Sequence, residues 1–143
     1  MPEISVRMAD QRDYPAIERI QQGSPEAAQW QPGEYSGYEV LLALIPTEKG
    51  PVPVGFCAWR QSGPDEAELL NLAVDPACRR RGVASALLEA LTGAAKGRLF
   101  LEVAEPNQAA ITLYEHHGWV RNGLRKGYYE RGNVNAIVME KRR

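Results

Sequence analysis

Leu70-Asn71-Leu72-Ala73-Val74-Asp75-Pro76-Ala77-Cys78-Arg79-Arg80-Arg81-Gly82-Val83-Ala84-Ser85 decides the fold. Its first residues complete an apolar run, Glu66 to Val74, that reads as a strand, and Asp75-Pro76 supplies turn chemistry. From Arg81 to Lys96, Val83, Leu87 and Leu91 recur at helical spacing, with Ala84 and Leu88 widening the stripe and Gly97 placed to stop it. A strand therefore runs through a turn into a helix whose first residues are small. Such a helix start offers unpaired N–H groups and the positive end of the dipole, and Gly82, Ala84 and Ser85 let an anion approach the backbone. Arg79, Arg80 and Arg81 stand beside it. Taken alone, that run is a solvated basic helix start; joined to the strand before it, the balance moves to a phosphate site. It is neither a GxGxxG turn nor a P-loop, which would need Lys-Ser/Thr after the glycines.

Upstream, Ile4 to Met8 alternates as a strand, and Asp10 with Asp13 can cap a helix carrying Tyr14, Ile17 and Ile20 on one face. Ser24-Pro25-Glu26-Ala27-Ala28 resembles a helix start, with Ser24 as N-cap and Pro25 at the first helical position. Tyr38 to Ile45, Val52 to Arg60 and Glu66 to Val74 read as an antiparallel meander split by turns. Downstream, Arg98 to Ala104 alternates as a strand, Pro106-Asn107 opens a helix through His117, and Gly118 ends it. Val120 to Tyr129 and Val134 to Lys141 look like a terminal hairpin. The order β, α, α, β, β, β, α, β, α, β, β predicts an α/β fold of the mixed α+β kind, with helices against the faces of the sheet, rather than a doubly wound one.

Composition narrows the function classes. A chain of 143 residues has a prior of one domain, residues 1–143. With 17 Lys and Arg against 18 Asp and Glu, net charge is -1, so bulk electrostatics names no partner and gives no reason to expect nucleic-acid binding. The longest apolar run, Val40 to Ile45, is far short of the ~20 residues a membrane helix needs. Met1-Pro2-Glu3-Ile4-Ser5-Val6-Arg7 lacks the basic start and apolar stretch of a signal peptide, so a cytoplasmic protein is expected. Cys57 and Cys78 form no CxxC pair and lack a local His partner, which favours buried or incidental thiols. His116-His117 point apart on a helix, and contact with the helix dipole suits them better than a metal; no metal is expected.

Arg79-x-x-Gly82-x-Ala84 resembles the Gln/Arg-x-x-Gly-x-Gly/Ala pyrophosphate loop of the GNAT superfamily of acyl-coenzyme A N-acyltransferases. The likeness continues through Leu99-Phe100-Leu101-Glu102-Val103, Asn107, Ala109-Ala110-Ile111-x-Leu113-Tyr114-x-x-x-Gly118-Trp119, Arg125-Lys126-Gly127-Tyr128-Tyr129 and Ala136-Ile137-Val138-Met139. That order is similar to the RimI-type ribosomal-protein-alanine N-acetyltransferases. It runs from Ala67 to Glu140, about half the chain. The resemblance implies a mostly antiparallel central sheet of about seven strands with helices on both faces. It also implies acetyl-coenzyme A as co-substrate and a protein or peptide N-terminus as acceptor. The early segment departs from the family, with Gln29-Trp30-Gln31 in place of Pro-Trp-Ser, and Val134-Asn135 replaces an acidic pair before the last strand. A small-amine or other-protein N-acetyltransferase, and a non-catalytic acyl-coenzyme A sensor, are the alternatives. Retention of both Glu102 and Tyr114 argues against the sensor.

Residue by residue, the resemblance implies that Leu72, Ala73 and Val74 meet the pantetheine arm through their backbone. Arg79, Arg80, Arg81, Gly82, Val83, Ala84 and Ser85 match the pyrophosphate loop, and Asn107 matches a residue that hydrogen-bonds the cofactor while also suiting a helix N-cap. The implied cleft lies between the strand ending near Val74 and that of Arg98 to Ala104. Acetyl transfer from a thioester needs a neutral amine, a stabilised oxyanion and a protonated leaving thiolate. Tyr114 matches the family's general acid, and a phenol that titrates near ~10 is a plausible proton source; as a partner of Ile111 and Gly118 on one helical face it reads equally as a core aromatic. Glu102, a lone acidic residue among apolar ones, matches the RimI-type general base, with an exposed strand face as its other reading. Glu68 stands where histone-acetyltransferase members place their catalytic glutamate, and the residues flanking Glu102 fit the RimI pattern better. Tyr128 and Tyr129 match a hairpin that walls the peptide site, although adjacent hairpin tyrosines often only pack.

Overall fold

The computed structural model describes residues 3–25, 27–129 and 132–141. Strands β1 (Ser5–Met8), β2 (Glu39–Ile45), β3 (Val52–Gly63), β4 (Glu66–Val74), β5 (Arg98–Ala104), β6 (Val120–Tyr129) and β7 (Val134–Lys141) form one sheet in the order β1-β2-β3-β4-β5-β7-β6. β1 with β2, β2 with β3, β5 with β7 and β6 with β7 pair antiparallel, and β4 with β5 pairs parallel. Helices α1 (Tyr14–Gln22), α2 (Val83–Ala94) and α3 (Gln108–His116) accompany it. The mixed, mostly antiparallel seven-stranded sheet expected from the sequence is what the chain forms. Among the described residues, no helix is long and apolar enough to cross a membrane.

The chain divides into two compact units, and the first comprises the residues up to Arg60 together with Leu70–Ala94. Here β2 is buried on both sides, as a central strand requires. Val40, Leu42 and Leu44 join Ile17 and Ile20 of α1, Phe56, Ala58 and Ala73 in one core. On the opposite face Ala43 pairs with Gly55, and a Cβ on Gly55 would come within 2.8 Å of Val83 Cγ1. Glycine at this strand position is what lets α2 pack close. The two helices of this unit therefore cover opposite faces. Ahead of α1, a short 3-10 turn (Gln11–Asp13) is closed by a reciprocal cap between Asp10 and Asp13. Tyr35 is buried in the core and donates to Gln21 Oε1, and burial pushes its phenol up to about 12.

Two helix expectations need correction. No helix starts at Ser24: its hydroxyl donates to the Val74 carbonyl at 3.1 Å, and the Ala28 N–H is taken by Asn71 Oδ1 at 3.2 Å. These tertiary partners satisfy the groups a helix would have used, and a 3-10 helix forms instead at Pro32–Gly37. Glu26 of the expected start lies outside the described residues. The Arg81–Lys96 helix is shorter at both ends, Val83–Ala94. Arg80 and Gly82 have φ of 65° and 83°, which no helical turn accommodates, so the helix opens only at Val83.

The second unit comprises Gln61–Leu69 and the residues from Ala95 onward. Its parallel ladder sets Glu66 against Arg98, Ala67 against Leu99, Glu68 against Phe100 and Leu69 against Leu101. On the other side of β5, Leu101 pairs with Met139 and Val103 with Ile137. Ala67, Leu69, Leu99, Leu101, Val103, Ile137 and Met139 make one buried face. Alternation then puts Glu68, Phe100 and Glu102 together on the other. The turn before β5 is tight: Gly97 has φ 81°, and a Cβ there would overlap the Asp65 carbonyl.

Candidate active site

In the first unit, Leu72 and Val74 are half-buried and Ala73 is buried in the α1 core. After Val74, Asp75 caps a 3-10 turn (Pro76–Cys78), and Arg79 to Gly82 carry the chain into α2. Arg80 and Gly82 take left-handed backbone on either side of Arg81. A left-handed non-glycine residue is unusual, and such alternation next to a helix start turns successive N–H groups to one side, a concavity suited to an anion. The first N–H groups of α2 have no intrahelical acceptor. Val83 is buried as the anchor of that turn, while Arg79, Arg80 and Arg81 are exposed and Ala84 and Ser85 half-buried. Arg79 Nη2 donates to Ser24 Oγ at 3.3 Å, which ties the loop to the residue that also holds the Val74 carbonyl. The chemistry of this donor set fits a phosphate.

In the second unit, Glu102 is half-buried and ion-paired, with Arg125 Nη1 donating to its Oε1 at 2.6 Å. Its Oε2 is buried with no hydrogen-bond partner among the described residues. The Arg125 guanidinium lies over the Tyr128 ring, 4.2 Å from its centroid. Its pKa is raised, first by the hydrogen bond to Glu102, with the charges of Glu102, Tyr128 and Glu68 adding to the effect. Glu102 and Tyr128, two residues singled out in the sequence, thus meet on one arginine that was not, and the charge of Glu68, a third, acts on it. Arg125 was quoted there only as part of a motif. The register explains how it arrives: Ala104 pairs with Ala136 on β7 and Ala136 with Arg125 on β6, while Glu102 pairs with Val138. The intervening strand presents only short side chains, so a long arginine crosses two strand spacings of ~4.8 Å to reach the glutamate.

Tyr114 is buried on α3, its ring 5.8 Å from that of Trp119, and its carbonyl accepts from the N–H groups of His117 and Trp119 at the helix end. Asn107 is the N-cap of α3, its Oδ1 accepting from Ala110 N at 3.2 Å. Tyr128 is exposed; the Tyr129 backbone pairs with Val134, and its side chain lies outside what is described. Asn135, the departure from the family's acidic pair, accepts from Gly127 N at 2.9 Å and donates to Glu105 Oε1 at 3.2 Å, pinning the hairpin. Cys57 is buried and burial pushes its thiol up to about 12, which removes it as a nucleophile at neutral pH. Among the described residues, no group of three or more His, Cys, Asp or Glu could hold a metal ion.

The Acetyltransferase (GNAT) family matches residues 6–119. A [Ribosomal protein bS18]-alanine N-acetyltransferase of Salmonella typhimurium is 44% identical over 81 residues, covering 52% of this chain. The matched segment spans about half of that relative's own length, 55%. The crystal structure of the ribosomal-protein-S18-alanine N-acetyltransferase from Escherichia coli superposes with a TM-score of 0.80 at 30% identity, covering 98% of this chain and 94% of that one. Arabidopsis thaliana NAA60, solved in complex with acetyl-CoA, shares the fold with a TM-score of 0.82 at 17% identity, covering 98% of both chains.

Proposed function

This chain belongs to the GNAT acetyltransferase family, and from that premise we propose that it moves the acetyl group of acetyl-coenzyme A to the N-terminal α-amine of a protein, as one acetyltransferase domain. The acceptor on this reading is an N-terminal alanine of a ribosomal protein. The observation that carries it is the likeness to relatives named for that reaction, alongside a family match over residues 6–119 that holds Glu102 and Tyr114.

On this reading Arg79 to Ser85 bind the pyrophosphate of the co-substrate, and Asn107 and the backbone of Leu72, Ala73 and Val74 hold the rest of it. The left-handed Arg80 and Gly82 and the start of α2 support that role. A neutral amine nitrogen attacks the thioester carbonyl; the C–N bond forms and the carbonyl electrons move to oxygen. The nitrogen then gives its extra proton to Glu102. Collapse of the oxyanion breaks the C–S bond, and the leaving sulfur takes a proton from the Tyr114 hydroxyl. Amide and thiol depart, and solvent restores both side chains. Tyr128 and Tyr129 wall the peptide.

An α-amine titrates near 7.7 to 8.0 and a lysine near ~10.4, so deprotonating lysine near neutrality costs roughly 3 kcal/mol more. A carboxylate base suffices for the first. The test measures thiol release by the purified chain with three acceptors: a peptide with a free N-terminal alanine, the same peptide blocked at that end but carrying a lysine, and a polyamine. The free N-terminus is expected to be preferred. Preference for either competitor overturns the N-terminal acceptor, and activity on none of them returns the chain to the sensor reading.

A further inference from the structure

We propose that Arg125 is a positioning residue of the transfer: it holds Glu102 by Oε1, leaves Oε2 with no donor among the described residues, and by its own charge selects acceptors that arrive as neutral amines. The inference rests on the reading of Glu102 as general base. Its first support is the asymmetry of the carboxylate. One oxygen accepts from Arg125 at 2.6 Å, and the other is buried with no hydrogen-bond partner among the described residues. A guanidinium engages carboxylates best through two parallel bonds, yet the structure shows one. An unsatisfied buried carboxylate oxygen is costly, and a donor arriving with a ligand relieves that cost. The N–H of an acceptor amine is such a donor.

The second support is the way Arg125 is itself held. Tyr128 lies under its guanidinium at 4.2 Å, and Glu68 contributes a further negative charge from β4. The short side chains of Ala136 and Val138 on the intervening β7 leave the arginine its path to Glu102. A side chain on the sheet's outermost strand is thereby fixed in place, and its position fixes the glutamate rotamer in turn. Charge gives the third part. An acceptor nitrogen close enough to bond Oε2 also stands near a permanent cation, which offsets the pull of the Glu102 carboxylate on an ammonium and leaves a neutral amine unaffected. Near pH 7 an α-amine is neutral in roughly one molecule in ten, a lysine or polyamine nitrogen in far fewer.

The experiment compares Arg125→Gln, Arg125→Lys, Glu102→Gln, Glu68→Gln and the Arg125→Gln/Glu102→Gln double variant, with acetyl-coenzyme A affinity measured alongside turnover. Arg125→Gln should lower kcat on the alanine peptide about 10- to 100-fold at unchanged acetyl-coenzyme A affinity. Arg125→Lys, which keeps one donor and the charge, should recover most of that loss. In the Glu102→Gln background the Arg125→Gln loss should vanish, because both changes act on one group. The rate on a polyamine relative to the peptide should rise in Arg125→Gln and not in Arg125→Lys. Wild-type kcat in Arg125→Gln, losses that multiply in the double variant, or an unchanged acceptor ratio would each overturn the proposal while a slow Glu102→Gln leaves the base standing. Wild-type turnover in Glu102→Gln with a slow Glu68→Gln removes the base itself, and with it the role of Arg125.

Discussion

The ring of Tyr114 is buried against Trp119, so packing and chemistry sit on different parts of one side chain, the ring and the hydroxyl. Phenylalanine separates them. Tyr114→Phe keeps the ring contact and should leave the thermal midpoint and acetyl-coenzyme A affinity nearly unchanged while lowering turnover by ~10²-fold or more. Wild-type turnover, with chemistry shown to be rate-limiting, would reduce Tyr114 to a core aromatic. The helical spacing of Ile111, Tyr114 and Gly118 reveals only the burial, which both readings share. Arg125 was out of reach for a different reason. Nothing local marks an arginine on a polar strand, and its partner is 23 residues away across a strand that comes later in sequence but between them in space. A pairwise motif survives only where its members are neighbours along the chain or where the strand order is known.

Capping shows how much of an element its own sequence controls. Asp13 serves three donors: both Nη groups of Arg7, at 2.8 and 2.9 Å, and the Asp10 N–H at 2.9 Å. The Arg7 hydrogen bonds hold the Asp13 carboxyl below the usual carboxylate range. A carboxyl depressed in the folded state adds stability above its unfolded value, near 3.9, and loses it as pH falls through the folded one. Asp13→Asn should therefore lower stability by about 2 kcal/mol at pH 7, and the gap from wild type should close below pH 4. Parallel melting curves across that range check it; a gap independent of pH would mean that the carboxylate charge contributes nothing. The reciprocal cap of Asp10 and Asp13 was legible because both lie in one turn, although it closes the 3-10 turn ahead of α1, and the bonds to Asp13 from Arg7 on β1 were not legible. Ser24 has the residue type of a cap and no helix follows, since its partners, Val74 and Arg79, lie 50 and 55 residues on. Propensity loses wherever tertiary donors and acceptors reach the same groups first.

Across the whole molecule, the seven strands are legible because alternation and turn residues bound each one locally. Their spatial order is not, because placing β7 between β5 and β6 follows from the register of buried faces and not from adjacency in sequence. The phosphate-binding reading stands between these cases: its residue types are consecutive, and only the left-handed Arg80 was unforeseen. Ligand-linked stability tests that reading for the intact chain. A ligand that binds only the folded state stabilises it by about 2.7 kcal/mol at 100 times its Kd, which for a chain of this size raises the melting midpoint by roughly 10 °C. Acetyl-coenzyme A should give that shift, and Gly82→Glu should abolish it. At φ 83° any side chain strains the backbone, so the variant will also melt earlier without ligand; the informative quantity is the ligand-induced shift of each protein against its own baseline. Apart from its chain neighbours Arg81 and Val83, no atom of the described residues lies within 4 Å of a Cβ at Gly82, so the added carboxylate has room to stand where the pyrophosphate is expected and repel it. An equal shift in both proteins would place the co-substrate elsewhere. A shift in wild type without thiol release on any amine would mark a chain that binds acyl-coenzyme A and does not turn it over.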